Sequence, residues 1–153
     1  MIVYIEELLR DVNILNWYRG EAAKNGGDMS AEIVQSDIDE QEAMMGYIKG
    51  AVNTVLLLAN SNRVEFRCER KDDALHFSIA PVREEKEYLL EVLKEAIRLF
   101  LVAEVRLMWM LNIRKEWADA TMRDMLIMNI KEAMSAVTSM GNKIRRRPTT
   151  MGI

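Results

Sequence analysis

At 153 residues the chain is long enough for one domain with a sizeable core. Half of it is hydrophobic and 29% is charged, with only 7 Gly and 2 Pro, which excludes collagen-like, low-complexity and wholly disordered classes. A single cysteine, Cys68, excludes an intramolecular disulfide and a multi-Cys zinc site. A single histidine, His76, leaves little room for His-dependent catalysis, and a net charge of −3 excludes a globally basic nucleic-acid binder.

Met1 to Ile5 runs straight into Glu6-Glu7, without the basic region and long apolar run of a signal peptide. The most apolar stretch, Ile97 to Ile113, carries Arg98, Glu104 and Arg106 and is shorter than the roughly 20 apolar residues of a spanning helix. A buried helix of a cytosolic protein, with no membrane contact, is therefore expected.

The first helix is predicted over about Tyr4 to Lys24. Its apolar stripe is Ile5, Leu8, Val12 and Leu15 with Leu9 alongside, and Asn25-Gly26-Gly27 ends it. A second helix starts between Asp28 and Ser36, where Asp28, Ser30 and Ser36 can each cap it, and runs to about Asn60. Its predicted buried stripe is Ile38, Met45, Ile48, Val52 and Val55. Gly46 and Gly50 lie one turn apart and fit either a close helix crossing or two tolerated glycines.

The hydrophobic period then changes from 3.6 to 2. Arg63 to Glu69 alternates, Leu75 to Ile79 alternates, and Arg70-Lys71-Asp72-Asp73 separates them, which predicts a β-hairpin. A turn centred on Lys71 and Asp72 pairs Cys68 with Leu75, Phe66 with Phe77 and Val64 with Ile79, all on one face, while Arg67 opposite His76 faces water. Such a hairpin needs its apolar face packed and at least one edge covered, by a helix or by another chain.

Pro81 ends the hairpin, and a third helix is expected from near Arg83, with a dry face of Leu89, Val92, Leu93, Ala96, Ile97 and Phe100. From Leu99 to Ile113 it is apolar nearly all round, so it should be buried nearly all round. A turn at Asn112 to Lys115 leads to a fourth helix from about Glu116 to Met140. Along it Met122, Met125, Met128, Met134 and Met140 recur and are expected in the core. Gly141 to Ile153 has no periodicity and carries +4 with no acid. The expected fold is mainly α: a bundle of about four helices with one β-hairpin inserted between helices 2 and 3, plus an extended C-terminal tail. Residues 1–142 form the helical domain, with the hairpin at 63–80, and 143–153 the basic tail.

For catalysis there is no Gly-rich phosphate loop, no G-x-S-x-G, no H-E-x-x-H and no calcium loop. Cys68 and His76 fall on opposite faces of the hairpin, so no Cys–His dyad is expected, nor any cofactor. Asp37, Asp39, Glu40 and Glu42 follow one another at a helix start and fan outward, which fits a solvated acidic face better than a metal site. Arg145, Arg146 and Arg147 fit a solvated tail, non-specific contact with DNA phosphates, or docking onto protein carboxylates. The chain supplies carboxylates itself: seven acids against one Lys24 between Glu21 and Glu42 give a local charge of −6, with Asp37, Asp39 and Glu40 as candidate contacts. The apolar surplus of the third helix places Leu99, Val102, Leu107 and Met110 at a subunit contact.

A helical domain of this size with a hairpin at Arg63 to Ala80, an over-apolar helix at Leu99 to Ile113 and a tail at Lys143 to Ile153 resembles the head–tail connector (neck-ring adaptor) proteins of tailed bacteriophages. The resemblance is architectural. It implies a non-enzymatic virion protein, assembled in the host cytoplasm, that forms a homo-oligomeric ring and contacts other virion proteins through helices and its tail. The alternative expectation is a small cytosolic partner-binding or regulatory protein with a Met-rich helical face.

Overall fold

A computed structural model describes residues 1–25, 41–60, 64–82, 84–113 and 115–139. The elements are β1 (Ile2–Tyr4), α1 (Ile5–Asn25), α2 (Gln41–Ala59), β2 (Glu65–Lys71), β3 (Ala74–Ala80), α3 (Leu89–Ile113) and α4 (Arg123–Thr138). One-turn 3-10 helices, Glu84–Lys86 and Lys115–Trp117, precede α3 and α4. The protein is therefore a mainly helical bundle of four helices with the hairpin between the second and third. Helices three and four are separate. The tail, with Arg145, Arg146 and Arg147, and the acidic segment, with Asp37, Asp39 and Glu40, lie outside the described residues.

The chain opens with a strand where a helix was expected to begin at once. Ile2-Val3-Tyr4 is too short to display a period, yet its β-branched and aromatic residues suit a strand. β1 pairs antiparallel with β3, Val3 opposite Leu75, giving the sheet order β1-β3-β2. The Met1 amine donates to the Phe77 carbonyl at 2.9 Å and the Phe77 N–H donates to the Met1 carbonyl at 2.8 Å, which extends the pairing. The outer edge of β3 is thus covered by the chain's own N-terminus, where a helix or another chain was expected.

The hairpin turn is Asp72-Asp73, one residue later than expected, with Lys71 opposite Ala74. Asp72 takes φ of 52°, a left-handed conformation that Asp tolerates better than Lys does. Phe66 consequently faces Ile79, Cys68 faces Phe77, Arg67 faces Ser78 and Glu69 faces His76. Each partner has moved by two positions, and a shift of two preserves the facing. The apolar alternation therefore still points inward: Phe66, Leu75 and Phe77 are buried, with Val64, Cys68 and Ile79 packed against them. Phe66 and Phe77 are now diagonal neighbours, their rings stacked with centroids 5.7 Å apart. Asn60, just beyond α2, ties the helix to this sheet. Its side chain accepts from the Phe66 N–H at 2.9 Å and donates to the Phe66 carbonyl at 3.0 Å.

α3 is the central helix and contacts α1, α2 and α4. Its core face is Leu93, Ile97, Phe100, Leu101, Val105 and Trp109. α1 adds Ile5, Leu8 and Val12, and α2 adds Met44, Ile48, Ala51, Val52 and Val55. Three sequence expectations shift, two by one position and one, the start of α3, by six. Met44, not Met45, is the buried methionine of α2. Asn16, not Leu15, continues the α1 stripe inward. Spacings of three and four both keep a residue on the same helix face, so a stripe alone cannot choose between adjacent positions. α3 begins at Leu89, not at Arg83, after the turn at Glu84–Lys86.

The expectation that α3 is buried nearly all round is not met. Val92, Leu99, Met108, Leu111 and Ile113 are exposed. Three neighbouring helices and a small sheet surround only part of a 25-residue helix. The methionines of α4 depart from expectation in the same way: Met134 is buried, while Met122, Met125 and Met128 face solvent.

Candidate functional site

Two of these exposed apolar side chains, Leu99 and Met122, border a cleft of about 310 Å³ built on α3. Leu99, Val102, Leu107 and Met110, spread over three turns of that helix, all line it. Val102 and Met110 are buried and form the floor; Leu99, 43% exposed, forms a wall. The opposite walls are Leu15 of α1, 42% exposed, and Met122 at the entry to α4, 53% exposed. All four α3 residues singled out from the sequence thus converge on one surface. The buried pair contributes shape to that surface and only the rest offers open area.

Polar groups hold the walls in place. Arg106 donates through Nε to the Asn16 side-chain oxygen at 3.0 Å, fixing α1 against α3 beside the cleft. Glu104, nearly buried, accepts both from Arg123 Nε at 2.8 Å and from its terminal nitrogen at 3.1 Å. This two-pronged pair pins the first residue of α4 to the middle of α3, and the Glu104 carboxylate raises the Arg123 pKa. Asp119 accepts from the Thr121 backbone N–H at 2.9 Å and from its hydroxyl at 2.7 Å, which shapes the turn that presents Met122. α4 has no side-chain cap at Met122; the Arg123–Glu104 pair anchors its start instead. On the far side Arg98 bridges Glu95 of its own helix and Asp11 of α1.

Chemically, the cleft is apolar with a small polar corner at Arg106 and Asp119. That composition suits a packed side chain from another protein surface better than a reacting substrate. A second apolar concavity, about 460 Å³, lies between α2 and the sheet and includes Cys68. Burial there pushes the Cys68 thiol up to about 11, with the Glu69 carboxylate adding to the rise, so the thiolate that nucleophilic chemistry needs is disfavoured. Cys68 lies opposite Phe77 while His76 lies opposite Glu69, so the two side chains project from opposite faces of the sheet. Among the described residues no group of three or more His, Cys, Asp or Glu side chains is placed to hold a metal ion. No helix among them is long and apolar enough to cross a membrane.

The sequence did not point to Leu15 and Met122, because each also fits an inward stripe. The Glu104–Arg123 pair had one legible sign, a lone acid in the middle of the most apolar stretch of the chain. Neither a family model, nor a characterised protein, nor a solved structure matches this chain.

Proposed function

We propose that this protein is a structural subunit that assembles through the α3 cleft, packing it against a second copy or a neighbouring assembly protein. The observation that carries this reading is the convergence of Leu99, Val102, Leu107 and Met110 with the exposed Leu15 and Met122 on one apolar concavity. Exposed apolar side chains gathered on one face mark interaction surfaces, whereas single ones do not. The connector-like architecture extends the reading to a ring: a neck-ring subunit of a tailed bacteriophage, carried in the virion after assembly in the host cytoplasm. Other virion proteins would be its neighbours, and the tail arginines would be placed near them or near the passing DNA. In this reading the protein performs no chemical step.

Electron microscopy of the purified chain, alone and mixed with candidate partner rings, tests the ring directly. Closed rings of uniform size are expected. A second reading, a small partner-binding or regulatory protein, is favoured by one observation: Met122, Met125 and Met128 lie exposed along one side of α4, and methionine adapts to varied apolar partners. Particles no larger than dimers, with no ring on any partner, would sink the ring and leave that second reading standing.

A further inference from the structure

Past Leu99 the cleft continues between α3 and α4 as a groove of about 740 Å³. Apart from Asn129, its floor and walls are apolar: Val92, 57% exposed, and Leu99 from α3, with Ala133 and Ala136 from α4. Its rim is acidic, with Glu91 and Glu95 on α3 and Glu132 on α4. Glu91 meets Lys94 at 2.7 Å and Glu95 meets Arg98 at 2.7 Å, and both carboxylates remain mostly open to solvent. Among the described residues Glu132 makes no ion pair. An apolar floor between carboxylates calls for a segment with an apolar side chain set among cations.

The chain carries one such segment beyond Ser139: Lys143-Ile144-Arg145-Arg146-Arg147, with no acid anywhere between 140 and 153. Two observations favour the groove of another copy over its own. Lys86 closes the end where the tail departs: its ammonium donates to the Ala136 carbonyl at 3.1 Å and to the Ser139 hydroxyl at 2.6 Å, setting a cation at the point of return. Ser139 is extended, with φ −58° and ψ 124°, and lacks the left-handed conformation that folds a chain back at a helix end. The tail also has reach, roughly 3.3 Å for each extended residue, against about 12 Å of helix between Glu91 and Leu99.

We propose that the α3–α4 groove seats residues Lys143 to Arg147 of a second copy of this chain. The arginines pair with Glu91, Glu95 and Glu132, and Ile144 covers Val92 and Leu99. Guanidinium groups suit this rim because they stay charged and can pair with a carboxylate in two-pronged fashion. Tail and groove are different surfaces, so the contact is head-to-tail and closes only as a ring or continues as a filament. The inference rests on the assembly reading above and names a contact within it.

Full-length protein made in light and nitrogen-15 forms, mixed and treated with a carbodiimide, reads the contact directly. The reagent joins an amine to a carboxylate with loss of water, and Lys143 is the only amine-bearing side chain of the tail. Peptides joining Lys143 to Glu132 or Glu91 and pairing one light with one heavy half are expected. They should fall to background in Arg145→Glu/Arg146→Glu/Arg147→Glu. That variant mixed with Glu91→Lys/Glu132→Lys should recover assembly with the two variants in equal number, although neither assembles alone. Joined peptides of one isotope only would place the tail in its own groove and overturn the proposal. Assemblies without such peptides would overturn it too and leave the assembly reading intact. If the wild-type tail instead retards duplex DNA and the triple-Glu tail does not, the arginines serve phosphates. A single-chain mass throughout would remove the assembly reading as well.

Discussion

The sheet and the α3–α4 face have similar apolar content and different fates. In β2 and β3 the inward alternation of Phe66, Cys68, Leu75, Phe77 and Ile79 is buried or half-buried within the chain. Along α3 and α4, Val92, Leu99, Met122 and Met125 remain open. A strand has two faces, and here only one is apolar, so a single layer of helix completes it. α3 is apolar on its core face and again on part of the opposite one, and the chain has no further helix among the described residues to lay over that second face. The difference separates two questions that hydrophobic patterning merges: which positions are apolar, and whether the chain itself covers them.

Substitutions at a buried and at an open position of α3 should break the comparison most sharply. Phe100→Ala, at a fully buried position, is expected to cost about 3–5 kcal/mol in denaturant unfolding. Val92→Ser, two turns away on the open face, should stay within about 0.5 kcal/mol. Equal losses would mean that the open face is covered within the monomer after all.

Next in size is the pair that sets the α4 wall of the cleft. Arg123→Ala leaves the Glu104 carboxylate nearly buried and without its partner, and should cost about 1–3 kcal/mol, moderated by the solvent reaching Arg123. Replacing both with leucine should recover part of that loss, because no buried charge is then stranded.

Smaller, and opposite in sign, is the effect at Gly46 and Gly50. A Cβ at either position meets nothing within 4 Å, so the two glycines of α2 support no close crossing within the chain. Gly46→Ala should raise stability by about 0.5–1 kcal/mol through helix propensity.

The last effect is absent at neutral pH and appears only in the alkaline range: a pH slope at the half-buried Cys68. With the thiol at about 11 in the folded chain and 9.0 in the unfolded one, the unfolded state releases its proton first as pH rises. Stability is then lost progressively between those two values and changes no further above them on this account. Cys68→Ala should unfold without that slope, as followed by thermal melts across the alkaline range.

The same division explains how much could be read from the sequence. Four helices and a hairpin were legible because Arg63 to Ile79 switches to period 2 while the remainder keeps helical spacing. β1 was not, because three residues carry no period and their partner, β3, lies some 70 positions away. The turn slipped by one residue because two adjacent candidates give the same facing, and the backbone of Asp72 decided between them. At the cleft, Leu99 and Leu107 were legible as surplus apolar residues of an over-apolar helix. Leu15 and the α4 methionines were not, since an amphipathic stripe looks the same whether its edge is closed by a neighbour or left open.

Light scattering of the full-length wild type beside Leu15→Asp/Met122→Asp, each with a thermal melt, addresses the cleft most directly. Both substitutions fall on exposed positions of the walls, so the melting temperature should hold while packing against a partner becomes unfavourable. A cleft that joins copies predicts a wild-type mass of several chains and a variant mass of one, at matched stability. A wild-type mass of one chain at every concentration, or an assembly that survives both aspartates, would contradict it.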